Sequence, residues 1–425
     1  MNQKNWKFET RTIQEGYAPD NGEPRVLPLW QSTTFKYDTA QSVADLFDLK
    51  APGHMYSRIS NPTVEAFEKK IASLEGGVAA VATSSGQAAN ALAILNICPT
   101  GGHFVSSATL YGGTFTMFSS KLRQMGIEVT FVSPSAPAAE IAAAIRPNTR
   151  CIFTETLANP ALEVLDIEKF AQIAHSHELP LIVDNTFPTP YLCNPFDFGA
   201  DIVTHSTTKY LDGHACCVGG IVVEKGDFYW DADKFPNFNE PDATYHGVVY
   251  MRDFPETPYS TKLRVQWIRD LGVAMTPFNA YLTNLGSETL HVRMDRHCSN
   301  ALKLAEFLQS HPKVSWVNYP MLPGGQYYDL AQKYLRGGSG VLCFGVKGGK
   351  KEGEIVMNNL HLAAIVVHVA DVRTCVLHPA SMTHRQMDEA AQRAAGVSPD
   401  LIRVSVGLEN IDDIIADFDG ALSKI

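Results

Sequence analysis

The sequence feature that most constrains the fold is an alternation of short apolar runs with amphipathic stretches in the middle of the chain. The apolar runs are typical of strands and lie at residues 78–82, 104–106, 127–132, 151–154, 181–183 and 202–204. Helical patterns separate several of them, at residues 88–97, 115–124 and 168–177. Apolar strands separated by helices predict a largely parallel sheet buried on both faces, with functional residues at the strands' carboxyl ends. The predicted fold class is α/β.

Two other regions flank this core. Residues 1–60 form an arm with one helix candidate near residues 41–49, and arms of this kind often pack on neighbouring subunits. A loop-rich insertion and a long helical stretch, at residues 226–258 and 276–310, lead to a region of α+β pattern. Its strand candidates lie at residues 314–317, 340–346, 365–369 and 401–406, and its helix candidates at residues 352–359 and 412–422. We predict an arm (1–60), a large domain (61–265) and a smaller C-terminal domain (266–425).

Composition and charge argue against several classes of function. The net charge is -10 and no block of Lys and Arg occurs, so the basic footprint of a protein that binds nucleic acid or anionic membranes is missing. The polar start and the lack of an apolar run of about 20 residues predict a cytoplasmic protein with no signal peptide or membrane span. The eight cysteines include no Cys-x-x-Cys pair, so we expect reduced thiols and no metal site.

A lysine follows one strand candidate in a turn rich in hydroxyl groups. Residues 205–210 read His-Ser-Thr-Thr-Lys-Tyr, which places Lys209 beside Ser206 and Thr208. A lysine amine can form a Schiff base with an aldehyde, and hydroxyl groups suit a phosphate; pyridoxal phosphate carries both groups. A lone Ser-x-x-Lys is more often a solvated helix start, so the interpretation depends on the other strand ends.

Three other strand candidates end in residues that suit the same cofactor. Ser85, Gly86 and Gln87 open a helix whose free N–H groups can hold a phosphate, although such a turn is more often only an N-cap. Asp184 can keep a pyridine nitrogen protonated, although it also suits an Asx turn. Tyr111 can stack on a ring or act as an acid or base, although a turn tyrosine is usually structural. Their shared position at the ends of one parallel sheet favours the cofactor interpretation.

With these residues, nearly the whole chain resembles the pyridoxal-phosphate enzymes of cysteine and methionine metabolism. That group contains cystathionine synthases and lyases, methionine γ-lyase and O-acetylhomoserine sulfhydrylase. The motifs that carry the resemblance are Tyr56-Ser57-Arg58, Asn61-Pro62-Thr63, Ser85-Gly86-Gln87, Tyr111-Gly112-Gly113-Thr114, Asn159-Pro160, Asp184-Asn185-Thr186, Ser206-Thr207-Thr208-Lys209-Tyr210, His378-Pro379-Ala380-Ser381-Met382-Thr383-His384 and Arg403-Val404-Ser405-Val406-Gly407-Leu408-Glu409.

The resemblance implies the fold type I, aspartate aminotransferase-like, of pyridoxal-phosphate-dependent transferases, in a homotetramer whose active sites are shared between two chains. It implies that Lys209 binds pyridoxal 5'-phosphate covalently and serves as the catalytic base. Asp184 would pair with the ring nitrogen, and Tyr111 would stack on the ring and act in catalysis. The implied phosphate site uses Ser85, Gly86, Gln87, Ser206 and Thr208, with Tyr56 and Arg58 reaching it from the partner subunit. The implied substrate site uses Arg403 as the carboxylate clamp, with Asn159 and Tyr56.

Members of this family differ in what happens at the substrate's Cγ, and three features bear on that choice by comparison. Gly113 stands where methionine γ-lyases resemble one another in having a cysteine. The insertion at residues 226–258, with its Tyr245-His246-Gly247, and the pair Arg373-Thr374 are similar to the sulfhydrylase group. The pair Cys216-Cys217 departs from the family's pattern and indicates nothing further.

These features favour a reaction in which sulfide replaces the acetoxy group of O-acetyl-L-homoserine, giving L-homocysteine and acetate. The expected partners are an amino-acid substrate and sulfide, with neither nucleic acid nor membrane. Alternatives that stay open are a methionine γ-lyase, a cystathionine γ-synthase or lyase, and a succinyl or phosphoryl leaving group. A scaffold that keeps the fold without chemistry is a further alternative, because fold alone does not guarantee activity.

Overall fold

The computed structural model describes residues 6–383, 385, 392 and 396–425. The first residues of the arm, 1–5, and His384 at the end of one family motif lie outside the described residues. None of the described helices is long and apolar enough to cross a membrane.

A seven-stranded sheet occupies the middle of the chain. Its strands are β1 (Ala79–Thr83), β2 (His103–Ser107), β3 (Glu128–Val132), β4 (Thr149–Glu155), β5 (Leu181–Asp184), β6 (Ile202–His205) and β7 (Gly220–Glu224). Their order across the sheet is β1-β7-β6-β5-β4-β2-β3, and β7 runs antiparallel to both of its neighbours. The remaining pairs are parallel, so β1 to β6 all point the same way and their carboxyl ends lie at one edge. The predicted α/β class with a mostly parallel sheet is confirmed.

The core lies on both faces of this sheet, as the continuous apolar strands predicted. In β5, Leu181 and Val183 pack into one cluster of buried residues, while Ile182 between them packs into a second cluster. Successive strand residues point to opposite faces, so two clusters require a cover on each face. The helices that accompany the sheet are Phe8–Gln14, Ala40–Phe47, Pro62–Glu75, Gly86–Leu95, Gly112–Thr116, Ala138–Ala143, Ile167–Ser176, Thr189–Leu192, Pro258–Lys262, Arg269–Leu271 and Pro277–Glu288, with π-helical turns at Met117–Leu122 and Leu263–Ile268 and a 3-10 turn at Pro195–Phe198.

A five-stranded sheet lies in the C-terminal part of the chain. Its strands are β8 (Val314–Asn318), β9 (Val341–Val346), β10 (Ala364–Ile365), β11 (Cys375–Leu377) and β12 (Leu401–Ser405), in the order β10-β11-β12-β9-β8. All neighbours are antiparallel except β10 and β11. The accompanying helices are Leu290–Ser310, Tyr328–Tyr334, Lys350–Asn358 and Ile411–Leu422, with a 3-10 turn at Pro379–Ser381. This mixture agrees with the α+β pattern of the sequence.

The structure differs from the sequence-based assignment in the long helical stretch. Residues 276–310 form two helices, Pro277–Glu288 and Leu290–Ser310, which meet at Thr289. At the break the backbone N–H of Thr289 donates to the Gly286 carbonyl at 3.3 Å, an i to i-3 bond that tightens the turn. The Gly286 carbonyl also accepts a hydrogen bond from the Arg293 side chain at 2.7 Å. Local hydrogen bonds across residues 286–293 therefore accompany the end of a helix that the apolar pattern alone would continue.

Two strands also differ from the sequence-based assignment. Strand β7 follows the lysine turn without a helix before it, so it did not fit the alternation from which the other strands were assigned. The strand expected at residues 365–369 is paired only over Ala364–Ile365. Beyond that point Val367 and Val369 line a cavity between the two sheets, so this segment leaves the ladder.

The insertion at residues 226–258 is a packed element and not a loose loop. It contains the short helices Pro236–Asn239, Ala243–Tyr245 and Tyr250–Asp253. Trp230 stacks on Phe238 at 4.5 Å and on Tyr259 at 5.5 Å between ring centroids, and all three rings are buried. Through this stacking, the aromatic residues of the segment form a small core of their own.

Candidate functional site

A cavity of about 230 Å³ lies where the carboxyl ends of β1, β4, β5 and β6 face strand β12 of the second sheet. A ligand crevice at the carboxyl ends of parallel strands is the arrangement expected of an open α/β sheet. Ten of the predicted site residues line this cavity: Ser85, Gly86, Gln87, Tyr111, Asn159, Asp184, Ser206, Thr208, Lys209 and Arg403. The residues chosen at strand ends and those assigned by the resemblance thus lie around one cavity.

The turn after β1 forms one wall. The Ser85 hydroxyl accepts a hydrogen bond from the Ala88 N–H at 3.1 Å and caps the helix Gly86–Leu95. Gly86 and Gln87 belong to the first turn of this helix, where backbone N–H groups have no partner within the helix. A Cβ atom on Gly86 would lie only 2.5 Å from the Ser206 Cβ, so glycine is needed for the close approach of the two turns. The result is a cradle of N–H and hydroxyl groups at a helix N-terminus, which fits a phosphate.

The turn after β6 is held from both sides. The Ser206 N–H donates to the Thr186 hydroxyl at 2.9 Å. The Thr208 hydroxyl donates to the Gly219 carbonyl at 3.2 Å and lies 3.1 Å from the Gly219 N–H. These bonds connect the lysine turn to the segment after β5 and to the start of β7. The hydroxyl-rich turn is therefore fixed before any ligand binds.

Asp184 presents a carboxylate at the end of β5. One oxygen accepts a hydrogen bond from the Asn90 amide at 2.9 Å, and the other accepts one from the Thr186 N–H at 3.0 Å. The side-chain oxygen of Asn90 accepts in turn a hydrogen bond from the Thr204 hydroxyl at 2.6 Å. Neutral donors orient the carboxylate and leave its charge available to a cationic partner in the cavity. This is the arrangement that a protonated pyridine nitrogen requires.

Lys209 lines the cavity and is half-buried. Desolvation lowers the pKa of its amine to about 8, and the nearby guanidinium of Arg403 lowers the pKa further in the same direction. Desolvation and a like charge both disfavour the ammonium form. A minor fraction of the amine is therefore neutral at pH 7, and this neutral amine is both a nucleophile toward an aldehyde and a base.

Arg403 reaches the cavity from β12. Its two terminal nitrogens donate to the Asn159 side-chain oxygen at 3.0 Å and to the His368 carbonyl at 3.0 Å. Burial lowers the pKa of the guanidinium, and the largest contributions that oppose this shift come from the thiols of Cys343 and Cys375. A buried guanidinium held by neutral acceptors suits the carboxylate of an amino acid, which would supply the missing negative charge.

Two residues at the site were missed from the sequence. Glu155 ends β4 and accepts a hydrogen bond from the Tyr111 N–H at 2.8 Å. Burial, with the charge of Asp184, raises the pKa of Glu155 well above its usual range. The strand-end rule applied to β4 would have found Glu155. Asn90 had only a weak signal, its position one helical turn after Gly86.

A buried network supports the same edge of the sheet. The Glu75 carboxylate, at the end of the helix Pro62–Glu75, contacts His205 Nε2 at 2.5 Å and accepts from the Asn185 amide at 3.0 Å. His205 and Asn185 flank the lysine turn and Asp184 in the chain. Removing one partner of this buried hydrogen-bonded pair leaves an unpaired polar group and typically costs about 1–3 kcal/mol. The network therefore fixes the separation of β5 and β6 at the site.

Tyr56 and Arg58 do not line this cavity. The Arg58 guanidinium lies over the Tyr56 ring, 5.3 Å from its centroid, and Tyr56 is exposed. A single chain thus brings together ten of the twelve predicted residues and leaves these two on its surface.

Comparisons with known proteins agree with the site. Residues 9–423 match the family described as Cys/Met metabolism PLP-dependent enzyme, where PLP is pyridoxal phosphate. An O-acetyl-L-homoserine sulfhydrylase of Leptospira meyeri is 44% identical over 99% of this chain and 98% of its own. A homocysteine synthase of Schizosaccharomyces pombe is 44% identical, with 98% of each chain covered. A crystal structure of a putative O-acetylhomoserine (thiol)-lyase from Campylobacter jejuni, containing N'-pyridoxyl-lysine-5'-monophosphate, matches with a TM-score of 0.96 at 35% identity, covering 98% of this chain and 100% of that one.

Proposed function

Because the chain belongs to the family of Cys/Met metabolism PLP-dependent enzymes, we propose that it replaces the acetoxy group of O-acetyl-L-homoserine with sulfide. In this reaction the Cγ–O bond breaks, acetate leaves with the bonding electrons, and a Cγ–S bond forms to give L-homocysteine. The observation that carries the proposal is the convergence of Lys209, Asp184 and Arg403 on one cavity. The sulfhydrylase and homocysteine synthase names of full-length relatives support the choice of substrate.

The residues of the cavity fit pyridoxal phosphate. The turn at Gly86 and the hydroxyls of Ser206 and Thr208 would hold its phosphate, Asp184 would face its ring nitrogen, and Lys209 would bind it covalently. Ser85, Gln87 and Tyr111 would complete this site, and Tyr56 and Arg58 would join it from the partner subunit. When bound, the cofactor supplies an aldehyde that bonds to an amine and a cationic ring that withdraws electrons from the substrate's Cα.

The remaining work is done by side chains of the protein. Arg403, oriented by Asn159, would bind the substrate carboxylate and point Cα toward Lys209. The Lys209 amine, whose pKa of about 8 leaves part of it neutral, would remove the proton at Cα and then serve proton transfer at Cβ. Glu155 would hold the backbone N–H of Tyr111 and so fix the position of the tyrosine ring over the cavity.

The environment of Gly113 supports replacement over the γ-lyase alternative. A Cβ atom at position 113 would lie 2.7 Å from the Tyr111 ring and 2.9 Å from the Gln87 amide. A cysteine there would displace Tyr111 from the position that it has in this chain. Tyr245, in contrast, is buried within the insertion and donates to the Val265 carbonyl at 3.1 Å. It is a feature shared with the sulfhydrylases, but it does not line the cavity.

We also propose the domain division at residues 60/61 and 265/266, a homotetramer with shared active sites, and a cytoplasmic location. The exposed apolar side chains of the arm, Val26, Leu29, Trp30 and Phe47, support a neighbouring chain as their cover. All eight cysteines are free, which agrees with a reducing compartment.

A substrate panel with product identification tests the function. Purified enzyme loaded with pyridoxal phosphate is supplied with sulfide and O-acetyl-, O-succinyl- or O-phosphohomoserine, and separately with methionine or cystathionine. We expect homocysteine and acetate from the acetyl ester at the highest kcat/KM, and no product with the Lys209→Ala variant. The proposal fails if the acetyl ester gives no homocysteine while methionine or cystathionine yields ammonia and a keto acid.

A further inference from the structure

The chain contains a cluster of two thiols and one carboxylate that the proposed reaction does not use. Asp212, Cys216 and Cys217 lie in the segment that connects the lysine turn to β7. Their ligand atoms, one from each residue, all lie within 4.8 Å of one another. We propose that this cluster binds a thiophilic divalent cation such as Zn²⁺ or Cd²⁺, in a site separate from the cofactor cavity.

The geometry of the cluster supports coordination. The Cys216 and Cys217 sulfur atoms lie 3.0 Å and 3.4 Å from the same Asp212 oxygen, Oδ1. A tetrahedral zinc ion with bonds of about 2.0–2.3 Å holds its ligand atoms about 3.3–3.8 Å apart, so the three groups need only small adjustments. Two thiolates with one carboxylate form a donor set that favours borderline and soft metals over Mg²⁺ or Ca²⁺.

The backbone holds this arrangement in advance. The second oxygen of Asp212 accepts hydrogen bonds from the His214 and Cys216 N–H groups at 3.2 Å and 3.1 Å. Ala215 between them has a φ of +57°, a left-handed conformation that is uncommon for a residue with a side chain. This conformation turns the chain so that both following cysteines face Asp212. Metal sites depend on such second-layer hydrogen bonds to orient their ligands.

The charge balance of the cluster also favours a cation. Asp212 is fully buried, and the nearest guanidinium, that of Arg293, donates to the Tyr210 and Gly286 carbonyls and the Thr289 hydroxyl. Oδ1 of Asp212 is contacted by the two thiols, while Arg293 acts on Asp212 through its charge. A buried carboxylate is stabilised when a positive ion supplies the missing charge.

Metal binding at this cluster requires both thiols to give up their protons, so binding releases protons as the thiolates form, as in other cysteine metal sites. The sequence alone gave no sign of the cluster, because the three residues do not match a known zinc-ligand spacing.

The position of the cluster connects it to the cofactor site. The Gly213 N–H donates to the Lys209 carbonyl at 2.7 Å, and Val218, next to Cys217, lines the cavity. At the other end, Gly219 is bonded to the Thr208 hydroxyl. A metal at Asp212 would restrain the segment between these two attachments.

The test measures metal binding on tag-free enzyme loaded with pyridoxal phosphate, in a phosphine reductant. Zn²⁺ alone and Cd²⁺ alone are added, unbound metal is removed by gel filtration, and the content per chain is measured by mass spectrometry. Cd²⁺ binding is followed independently by the ultraviolet charge-transfer absorption of cadmium thiolates. We expect one ion per chain, with affinity reduced at least about tenfold in Cys216→Ser and in Cys217→Ser.

The Cys298→Ala variant is the matched control, because it removes a partly buried thiol outside the cluster and should bind as the wild type does. The visible absorption of the bound cofactor in each variant reports whether the fold and the cofactor site are intact. The proposal is overturned if the reduced wild type retains no stoichiometric ion, or if Cys216→Ser binds the metal as tightly as the wild type. It is also overturned if the two thiols are found only as a disulfide and the reduced form binds no metal.

Discussion

At the scale of single residues, Lys209 and Arg403 influence each other through their charges. Arg403 is buried and Lys209 is half-buried, and the guanidinium disfavours the protonated form of the amine. Arg403 therefore has two effects in the proposed function: it supplies a site for the substrate carboxylate, and it increases the neutral fraction of Lys209. These effects can be separated, because the second is present before any substrate is added.

Replacing Arg403 by Met should raise the pKa of Lys209. In the wild-type apoenzyme we expect the rate of covalent cofactor uptake to increase with pH around a midpoint of about 8, because only the neutral amine attacks the aldehyde. Without the guanidinium the ammonium form is less disfavoured, so the midpoint should move upward. The growth of the visible cofactor band at a series of pH values measures this. Arg373→Met, at an exposed position, is the control, and an unchanged or lower midpoint in Arg403→Met would contradict the expectation.

Replacing Lys209 by Ala should remove the covalent link to the cofactor and reduce turnover by at least on the order of 10²–10⁴-fold, because the base is lost as well. Borohydride trapping followed by peptide mapping identifies the labelled lysine.

Lys262→Ala is a demanding control, because burial lowers the pKa of Lys262 to about 8 as well. The Lys262 amine, however, donates a hydrogen bond to the Asn96 backbone carbonyl. That variant should lose stability and keep the label. Wild-type turnover in Lys209→Ala would remove the proposed mechanism.

Most single residues of the site were predictable because each follows directly after a strand of a parallel sheet. Asp184, Lys209 and the turn at Gly86 were found in this way. Asn90 was not, because its contact with Asp184 joins positions far apart in sequence. The local pattern offers only one weak signal for Asn90, its position one helical turn after Gly86.

At the scale of elements, the site depends on the close approach of two turns. The turn after β1 and the turn after β6 meet at Gly86 and Ser206, where no room remains for a side chain on Gly86. The alternation of strands and helices predicted both turns, but it could not predict their contact. That contact requires β7 to lie between β1 and β6, and β7 was absent from the sequence-based assignment.

Replacing Gly86 by Ala should weaken cofactor binding by about 1–3 kcal/mol, because the new methyl group would push Ser206 away from the phosphate cradle. Fluorescence titration of the apoenzyme with pyridoxal phosphate gives the dissociation constant. Gly420→Ala is the matched control: it lies in the helix Ile411–Leu422 with open space around its Cα and should be neutral or stabilising by up to about 1 kcal/mol. Equal cofactor affinity in Gly86→Ala and the wild type would show that the two turns can separate freely.

At the scale of the whole molecule, the cavity of one chain is not lined by every residue that the family resemblance assigns to the site. Tyr56 and Arg58 lie outside the cavity, on an arm that exposes several large apolar side chains. The sequence indicated the arm by its lack of periodicity, and the resemblance supplied its role.

Hybrids of two inactive variants test the shared site. Arg58→Ala removes a group proposed to act in the partner subunit's site, and Lys209→Ala removes one that acts in its own. In a hybrid dimer both changes fall in one site and the other site is intact, so about half of the wild-type activity per dimer should return. Differently tagged subunits allow the hybrid to be purified, with the two parent homodimers as controls. Hybrids no more active than the parents would mean that each chain has a complete site.

The antiparallel strand β7 also has a consequence for the order in which the molecule acquires its parts. Strand β7 forms a local hairpin with β6, but its other neighbour, β1, is paired across a long stretch of chain, with Ala79 opposite Glu224. Contacts between distant positions form slowly, because a large loop must close first. The helix turn at Gly86 is therefore synthesised long before β7. It can be aligned with Ser206 only after residue 224 has left the ribosome. A nascent chain thus cannot capture the cofactor before the whole seven-stranded sheet is available.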